Sequence, residues 1–341
     1  MPNIMLTYRC NLRCPYCFAN EFVNRTDCDI TEQDFYRAAD FITSEPDAHV
    51  GLIGGEPTLH PLLETFIRYL VCERKVASVM VYTNGLHLER LLPLCQDPLV
   101  APRLRILVNC NAPQVMGEKN YELLKEKLDL AFSTPHVGSH IKLGLNLYDN
   151  AFDYEFIKHL LCRYNQYQLR ISLTVPDFGV CGEVDSVENF TSRKAYLLQF
   201  FREMDEIGVM PYYDCNKPPV CIWTEEEWAW LCWYRNKYKM MPTNILDDTV
   251  KCAPVVDILP DLRAVRCFGM SDFEKCTIDD FDSMEDLKNY FTNRIDAEAY
   301  RIPSSPSCAD CYDRRTGRCT GGCLGYKSTK LHEANRLMAS L

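Results

Sequence analysis

Apolar runs alternate with amphipathic stretches from residue 4 to about residue 215. The apolar runs are short and rich in β-branched residues, whereas the amphipathic stretches have the period of a helix. Strands that alternate with helices are typical of repeated βα units with a parallel sheet. The six predicted strands are Ile4 to Tyr8, His49 to Ile53, Ser78 to Tyr82, Leu104 to Asn109, Ile141 to Leu147 and Leu169 to Val175.

Helical patterns follow most of these strands, and the first of them has Thr31 as an N-cap with Asp34 three residues on. Right-handed crossovers place the carboxyl ends of all the strands on one face, where barrel enzymes keep their active sites. The pattern therefore predicts an α/β fold with a partial (β/α)6 TIM-like barrel. The predicted helices are Thr31 to Ile42, Leu62 to Cys72, Tyr121 to Phe132, Tyr154 to Tyr164 and Arg193 to Ile207.

The alternation stops near Pro211. An aromatic-rich helix is predicted over Thr224 to Lys239, followed by short hairpin-like stretches and a terminal helix over Tyr326 to Leu341. The later part is poor in core residues and dense in cysteine, which indicates a small domain stabilised by metal. We expect a barrel over 1–215, a connecting helical segment over 216–247 and a small cysteine-rich C-terminal domain over 248–341.

Composition narrows the class of protein. The chain is 47% hydrophobic and 25% charged, as globular proteins are. Its 37 basic and 47 acidic side chains give a net charge of -10, which disfavours nucleic acid or an anionic membrane as a partner. Without a signal segment or a long apolar run, we expect a cytoplasmic protein. Nineteen cysteines are unusual there, because thiols stay reduced in the cytosol, and metal ligation is the leading explanation.

Three cysteines follow the first predicted strand at close spacing: Cys10, Cys14 and Cys17. Structural zinc sites are closed by four protein ligands, whereas only three thiolates are local here. Three thiolates on a four-iron cluster leave one iron open for a substrate or cofactor. The spacing therefore indicates an iron-sulfur centre with an open site.

With an aromatic residue, Tyr16, just before the third cysteine, this segment resembles the signature of the radical S-adenosylmethionine (radical SAM) superfamily. The resemblance implies that Cys10, Cys14 and Cys17 hold a 4Fe-4S cluster whose open iron chelates S-adenosylmethionine. It also implies reductive cleavage of this cofactor to a 5'-deoxyadenosyl radical, chemistry that belongs to the cofactor while the protein positions and shields it.

Glycine-rich and polar segments stand at or near the ends of other predicted strands. The glycines of Gly54-Gly55-Glu56-Pro57 permit close backbone approach, and the resemblance implies that Glu56 contacts the methionine amino group. Asn84-Gly85 is equally typical of a turn, and Asn146 has a neighbouring backbone as an alternative partner. The residues expected to contact the cofactor are Tyr16, Gly54, Gly55, Glu56, Pro57, Thr83, Asn84, Asn109, Asn111 and Asn146.

Six further cysteines lie near the C-terminus. Cys252 and Cys267 are separated by fourteen residues that are typical of a hairpin, and a Cys-x2-Cys-x7-Cys-x3-Cys run begins at Cys308. The four cysteines of that run, taken alone, are also typical of one structural zinc site. The run comprises Cys308, Cys311, Cys319 and Cys323.

These cysteines resemble the SPASM or shorter twitch extension of radical SAM enzymes, which binds one or two auxiliary 4Fe-4S clusters. The resemblance implies that Cys252, Cys267 and Cys323 share one cluster and that Cys308, Cys311 and Cys319 ligate another. The spacing departs from the usual pattern, which leaves either an open site or a fourth ligand. The candidates for that ligand are Cys215, Cys221, Cys232 and Cys276.

The resemblance favours a peptide-modifying enzyme that abstracts hydrogen and leaves a crosslink, an oxidation or a related modification. It implies an external electron donor such as flavodoxin or ferredoxin. Because the first cluster cysteine is residue 10, a leader-binding domain is not expected before it, and recognition is direct or uses a separate leader-binding protein. Two alternatives stay open: a radical SAM dehydrogenase of a small molecule and a non-catalytic metal-binding interaction protein.

Overall fold

The computed structural model describes residues 1–17, 19–20, 22–24, 28–148, 153–174, 186–239, 250–271, 273–328 and 330–333. Three sequence predictions reach outside these residues. They are the end of the sixth strand at Val175, the domain boundary at 247 and 248, and the last part of the terminal helix, over 334–341.

Strands alternate with helices along much of the described chain, as the hydrophobic pattern predicts. The strands are β1 (Asn3–Met5), β2 (His49–Ile53), β3 (Ser78–Thr83), β4 (Leu104–Asn109), β5 (Ile141–Leu147), β6 (Gln168–Leu173), β7 (Met210–Tyr213), β8 (Asp257–Ile258), β9 (Arg263–Val265) and β10 (Cys276–Thr277).

The helices are amphipathic where they cover a sheet and short elsewhere. In the described ranges, none is long and apolar enough to cross a membrane. They are α1 (Glu32–Ile42), α2 (Leu63–Arg68), α3 (Leu92–Gln96), α4 (Pro113–Met116), α5 (Glu118–Ser133), α6 (Glu155–Arg163), α7 (Ser186–Glu206), α8 (Glu225–Lys237), α9 (Met284–Phe291), α10 (Ala297–Arg301) and α11 (Tyr312–Arg315).

The chain divides into two compact units, and the first comprises residues 1–144 and 254–291. Its strands lie in the order β10-β9-β8-β1-β2-β3-β4-β5. The pairs from β8 to β5 are parallel, whereas β8-β9 and β9-β10 are antiparallel. Because β1 to β4 are parallel neighbours, their carboxyl ends lie at one edge of this sheet. That edge carries the segments in which the sequence predicts a site.

The second unit comprises residues 145–253 and 292–341. Here β5, β6 and β7 are neighbours in that order, and β6 pairs with β7 in parallel. A capping box begins α8, since the Thr224 hydroxyl accepts from the Glu227 backbone N–H and the Glu227 side chain accepts from the Thr224 N–H. The division into two units is based on contacts in space. It does not test the domain boundaries expected at 215 and 247, which stay a prediction.

The α/β fold with a parallel sheet is confirmed. The Thr31 N-cap is also confirmed, since its hydroxyl accepts from the Asp34 backbone N–H. The predicted hairpin within 252–267 forms through β8 and β9. Two strands were not predicted: β7, which contains Pro211, and β10, which is only two residues long. The helix predicted from Arg193 begins at Ser186.

A buried carboxyl group lies where β8 joins β1. Asp257 is 3% exposed, and its oxygens accept from Asn3 Nδ2 at 2.6 Å and from the Phe268 backbone N–H at 3.1 Å. Burial outweighs these two hydrogen bonds and raises the pKa of Asp257 to about 6. The folded chain therefore keeps Asp257 neutral up to a higher pH than an exposed aspartate would allow.

We expect Asp257→Asn to flatten the pH dependence of stability. Between the ordinary pKa of 3.8 and the raised value of about 6, the folded chain keeps a proton that the unfolded chain has released. The stability contributed by this group is therefore full below the ordinary pKa and is lost as the pH rises through the raised one. Urea unfolding in a pH series that brackets this interval measures the effect.

Asp282→Asn is the matched control, because Asp282 is exposed on the same unit. If the two variants show the same pH dependence of the unfolding free energy, the buried Asp257 carboxyl is not the titrating group.

Candidate functional site

The upstream cysteine triplet, Cys10, Cys14 and Cys17, lies in the loop after β1. The Cys17 backbone N–H donates to the Cys14 carbonyl at 3.2 Å, and the Cys10 N–H donates to Asn24 Oδ1 at 2.9 Å. The Leu12 N–H approaches Cys10 Sγ at 3.4 Å. These hydrogen bonds hold the loop in a compact turn with the three thiols on it.

The three thiols are electrostatic neighbours. Burial, together with the nearby Cys10 and Cys17, raises the pKa of Cys14 to about 12. Burial also raises the pKa of Cys10 to about 11, with Glu56 and Cys17 as further causes, and it raises the pKa of Cys17. Without a cation these groups stay protonated at neutral pH, whereas a bound metal centre would hold them as thiolates.

The donor chemistry of the triplet suits soft metals. Three thiols are typical ligands of iron-sulfur centres. In the part of the chain that the structure describes, no three His, Cys, Asp or Glu side chains converge on the position of one metal ion. Each cysteine of a four-iron cluster binds a different iron atom, so its thiols need not meet at one point.

Two glycines let the end of β2 run against the cysteine loop. The Gly55 N–H donates to the Thr7 carbonyl and the Glu56 N–H donates to the Arg9 carbonyl, both at 2.8 Å. A Cβ on Gly55 would lie 2.3 Å from the Arg9 carbonyl oxygen and 2.9 Å from Cys10 Cβ, and a Cβ on Gly54 would lie 2.9 Å from the Thr7 carbonyl oxygen. Glycine is required at 55 because any side chain would push the loop away.

Glu56 is 1% exposed and held by four donors. Its Oε1 accepts from the Thr58 N–H at 3.1 Å, the Thr58 hydroxyl at 2.6 Å and the Thr83 hydroxyl at 2.7 Å, and Oε2 accepts from the Asn84 N–H at 2.7 Å. Burial still raises the pKa of Glu56. Glu56 also caps the short turn that Pro57 begins. The carboxylate is thus oriented in advance for a cationic partner.

Thr83 and Asn84 at the end of β3 connect Glu56 to the cysteine loop. Besides its bond to Glu56, the Thr83 hydroxyl accepts from the Gly85 N–H at 3.0 Å. Asn84 Nδ2 donates to Asn11 Oδ1 at 2.7 Å, and Asn11 follows Cys10 directly. The structure therefore brings these two predicted residues together with Glu56 and the triplet, where they position neighbouring groups.

Residues after β4 approach the same loop. The Tyr16 hydroxyl donates to Asn111 Oδ1 and also forms a hydrogen bond with the Cys14 thiol. Asn109 Oδ1 is buried and has no hydrogen-bond partner among the described residues. A buried acceptor without a donor is costly, and a bound hydroxyl or amine would satisfy it.

Asn146 is the predicted site residue that lies in the second unit. Its Oδ1 accepts from Arg170 Nη1 at 2.9 Å, and the same guanidinium pairs with Asp214 at 2.8 Å. Asn146 therefore has Arg170 of β6 as its hydrogen-bond partner. A contact between Asn146 and a cofactor stays a prediction.

Seven cysteines of the second unit form two groups. The Cys323 group consists of Cys215, Cys252 and Cys323, and the Cys323 thiol forms hydrogen bonds with the other two, which raise its pKa. Cys323 is buried, and its Sγ accepts from the Gly325 N–H at 3.4 Å. The predicted cluster partner Cys267 lies in the first unit, where Arg266 Nη1 donates to its Sγ at 3.4 Å. The sharing of one cluster by Cys252, Cys267 and Cys323 stays a prediction.

The Cys308 group consists of Cys221, Cys308, Cys311 and Cys319. Partial burial, together with the thiols of Cys308, Cys319 and Cys311, raises the pKa of Cys221 to about 11. Burial likewise raises the pKa of Cys319, with Cys308 and Cys311 as neighbours, and its Sγ accepts from the Gly321 N–H at 3.2 Å. All four thiols are thus close enough to interact.

A buried lysine accompanies the two groups. Lys327 is 2% exposed, and its Nζ donates to the Ala299 carbonyl at 3.0 Å and to the Thr320 carbonyl at 3.1 Å. Burial lowers the pKa of Lys327 to about 8, and the thiols of Cys308, Cys319 and Cys252 oppose this shift. No carboxylate pairs with Lys327 among the residues that the structure describes.

Sequence reasoning did not find every member of these arrangements. Sequence reasoning named Cys215 and Cys221 only among four candidates for the fourth ligand of an auxiliary cluster. Their close spacing in the loop after β7 was a usable signal for a metal site. Thr58 was not predicted, because its contact with Glu56 depends on the folded turn. Lys327 gave none either, since its burial depends on tertiary packing.

The comparisons with known proteins agree with this geometry. Residues 4–130 match the model of the Radical SAM superfamily. Molybdenum cofactor biosynthesis protein 1 of Bos taurus is 31% identical over 157 residues, which cover 42% of this chain and 24% of that protein. Mitochondrial GTP 3',8-cyclase of Arabidopsis thaliana is 34% identical over 152 residues, which cover 42% of this chain and 39% of that one. The chain thus spans well under half the length of these curated relatives.

Solved structures are similar over almost the whole chain. SuiB of Streptococcus suis with bound S-adenosylmethionine has a TM-score of 0.60 at 15% identity, and the match covers 94% of this chain and 72% of that one. Native anSMEcpe, solved with bound AdoMet and a peptide, has a TM-score of 0.62 at 15% identity, and the match covers 94% of this chain and 88% of that one. At this identity the likeness shows the fold. The family match covers residues 4–130, which is less than half of the chain.

Proposed function

We propose that the chain is a radical SAM enzyme that cleaves S-adenosylmethionine reductively and abstracts hydrogen from a peptide or protein substrate, leaving a crosslink, an oxidation or a related modification. The observation that carries this proposal is the upstream cysteine triplet beside the buried carboxyl of Glu56. It combines ligands for a cluster with an anionic group for the ammonium of the cofactor.

The residues present fit both groups. Cys10, Cys14 and Cys17 would hold the cluster, and Glu56 would bind the methionine amino group through Oε2, which accepts only one hydrogen bond from the described residues, against three at Oε1. The partnerless acceptor at Asn109 Oδ1 suits a hydroxyl such as those of ribose. When bound, the cluster supplies the electron for cleavage of the sulfonium compound and so starts hydrogen abstraction.

The chain's own contribution is orientation and the exclusion of water. Cys17 packs against an apolar cluster whose buried members include Met5, Tyr8, Ile53 and Phe268. Low polarity beside the triplet strengthens electrostatic interactions there and keeps water from a reactive centre. Bonds from Thr83 and Asn84 fix the Glu56 carboxylate, so that a bound ammonium finds it already oriented.

A peptide is the favoured substrate class for two reasons. SuiB has been solved with a precursor peptide and anSMEcpe with a peptide, and both folds match most of this chain. The two C-terminal cysteine groups provide ligands for auxiliary clusters of the kind that peptide-modifying relatives carry. An external donor such as flavodoxin or ferredoxin would supply electrons, and a separate protein is a candidate for leader binding.

A second candidate function is a radical reaction on a small molecule, and one finding favours it. The matched part of the chain is 34% identical to a protein named GTP 3',8-cyclase. The same radical-generating site would then act on a nucleotide.

Cys14→Ala should remove the N-terminal cluster, because the triplet has no spare thiol on its loop. After anaerobic reconstitution, we expect a loss of about four iron atoms per chain and no release of 5'-deoxyadenosine on reduction. Cys72→Ala is the control at an exposed, isolated cysteine, and it should change neither quantity. A Cys14→Ala protein that still releases 5'-deoxyadenosine would refute the proposed ligand set.

Glu56→Gln should weaken binding of S-adenosylmethionine about 10- to 100-fold, because a charge-assisted hydrogen bond to an ammonium becomes a neutral one. Iron content should be unchanged, since Glu56 is not a ligand. Equilibrium dialysis with labelled S-adenosylmethionine measures the affinity. Glu126→Gln changes an exposed glutamate of the same unit and should bind as the wild type does; equal affinity for both variants would exclude Glu56 as the ammonium partner.

The two substrate classes make different predictions for the reconstituted enzyme. A short peptide encoded beside the gene should lose the mass of two hydrogen atoms while 5'-deoxyadenosine accumulates, and GTP should stay unconsumed. Mass spectrometry of both reactants decides between them. Consumption of GTP with an unchanged peptide would favour the second candidate.

A further inference from the structure

We infer that a basic cavity of the second unit binds acidic side chains of the peptide substrate. The basic cavity has a volume of about 290 Å³, and its lining includes the cationic side chains of Lys251, Arg314 and Arg315. Among the residues that the structure describes, no carboxylate lines it. The proposed function, on which this site rests, supplies the peptide, and the basic cavity would be a place that holds it.

Two segments that are far apart in the sequence meet at the basic cavity. The Val250 carbonyl accepts from the Thr320 N–H at 2.8 Å, which brings the neighbouring Lys251 to the segment that follows α11. Arg314 and Arg315 are the last two residues of α11. The three cations are thus gathered by the fold of the second unit and not by a run of basic residues.

The guanidinium of Arg314 is oriented by the backbone of a third segment. Its Nη2 donates to the Tyr300 carbonyl at 2.7 Å and to the Arg301 carbonyl at 3.0 Å. No other side-chain hydrogen bond of Arg314 exists within the described ranges. Because a guanidinium has five N–H donors, Nη1 and Nε keep the capacity to bind an anion in the basic cavity.

The three cations of the basic cavity form no ion pair with any residue that the structure describes. Other charges of the second unit do pair: Lys158 lies 3.0 Å from Glu203, and the Asp313 carboxylate of α11 lies 3.5 Å from Arg318. Like charges around one space repel one another, and a bound anion replaces that repulsion by attraction. The basic cavity is therefore suited to a negatively charged ligand.

Charge and size together favour an acidic side chain as the ligand. Arginine binds a carboxylate through two parallel N–H bonds, and lysine adds a point charge. Pockets for whole small molecules are on the order of 300–1,000 Å³. A cavity of about 290 Å³ suits one or two side chains better than a nucleotide. Lys251 and Arg315 are exposed, so a peptide can reach them.

The test measures the fluorescence anisotropy of a dye-labelled hexaglutamate peptide with the full chain after anaerobic reconstitution. We expect saturable binding that weakens as salt rises from about 0.05 M to about 0.5 M, because exposed ion pairs are screened. The uncharged hexaglutamine peptide should not bind. The net charge of -10 disfavours binding of hexaglutamate elsewhere on the chain.

Three results would overturn the inference at this stage. They are no binding of hexaglutamate, equal binding of the two peptides, and binding of inorganic triphosphate without binding of hexaglutamate. The last result would make the basic cavity a phosphate site.

Charge reversal assigns the binding to the basic cavity. Arg315→Glu and Lys251→Glu should each weaken hexaglutamate binding about 3- to 10-fold, because an attraction becomes a repulsion. Arg235→Glu and Lys239→Glu are the matched controls, since they reverse exposed charges of the same unit that do not line the cavity. The controls should bind as the wild type does. Equal affinity in a cavity variant and its control overturns the inference.

The cavity variants should fold, because the side chains of Lys251 and Arg315 form no hydrogen bond within the described part of the chain. If one of them does not fold, the other variant and the comparison of the two peptides on the wild-type protein still decide.

The same protein separates this inference from the proposed function. Release of 5'-deoxyadenosine on reduction depends on the upstream cysteine triplet and not on the basic cavity. Release without binding of hexaglutamate means that the inference fails while the proposed function stands. Binding of hexaglutamate without any release means the reverse.

Discussion

The candidate site depends on two backbone hydrogen bonds between the end of β2 and the segment after β1, from Gly55 to Thr7 and from Glu56 to Arg9. They place the buried carboxyl of Glu56 next to the loop that carries the three thiols. The absence of a side chain at Gly55 makes this approach possible. Every other contact of Glu56 refines an arrangement that these bonds establish.

Local signals in the sequence were sufficient for much of the fold and of the first-unit site. The Thr31 cap and the alternation of apolar runs with amphipathic stretches depend on neighbouring residues, so they can be recognised without tertiary structure. The spacing of Cys10, Cys14 and Cys17, like the glycines before Glu56, belongs to a single short segment. Such features can be recognised in a sequence because their members are close together along the chain, and their roles in the site stay predictions.

Contacts between residues that are far apart in the sequence could not be predicted from such local signals. Strand β8 is two residues long, and its parallel pairing with β1 could not be predicted, because no propensity marks the partner of so short an element. Cys215 and Cys221 are six positions apart yet contact different groups, which only the folded chain decides. Asn146 was correctly recognised as needing a partner, but Arg170 could not be named, because cross-strand pairing sets that contact.

The position of β1 within its sheet has a consequence for biosynthesis. This strand pairs with β2 on one side and with residues 257–258 on the other, so its second edge stays unpaired while most of the polypeptide is still on the ribosome. Nascent chains with an open strand edge are prone to aggregation. Completion of the sheet beside the cysteine loop therefore follows translation of the downstream hairpin.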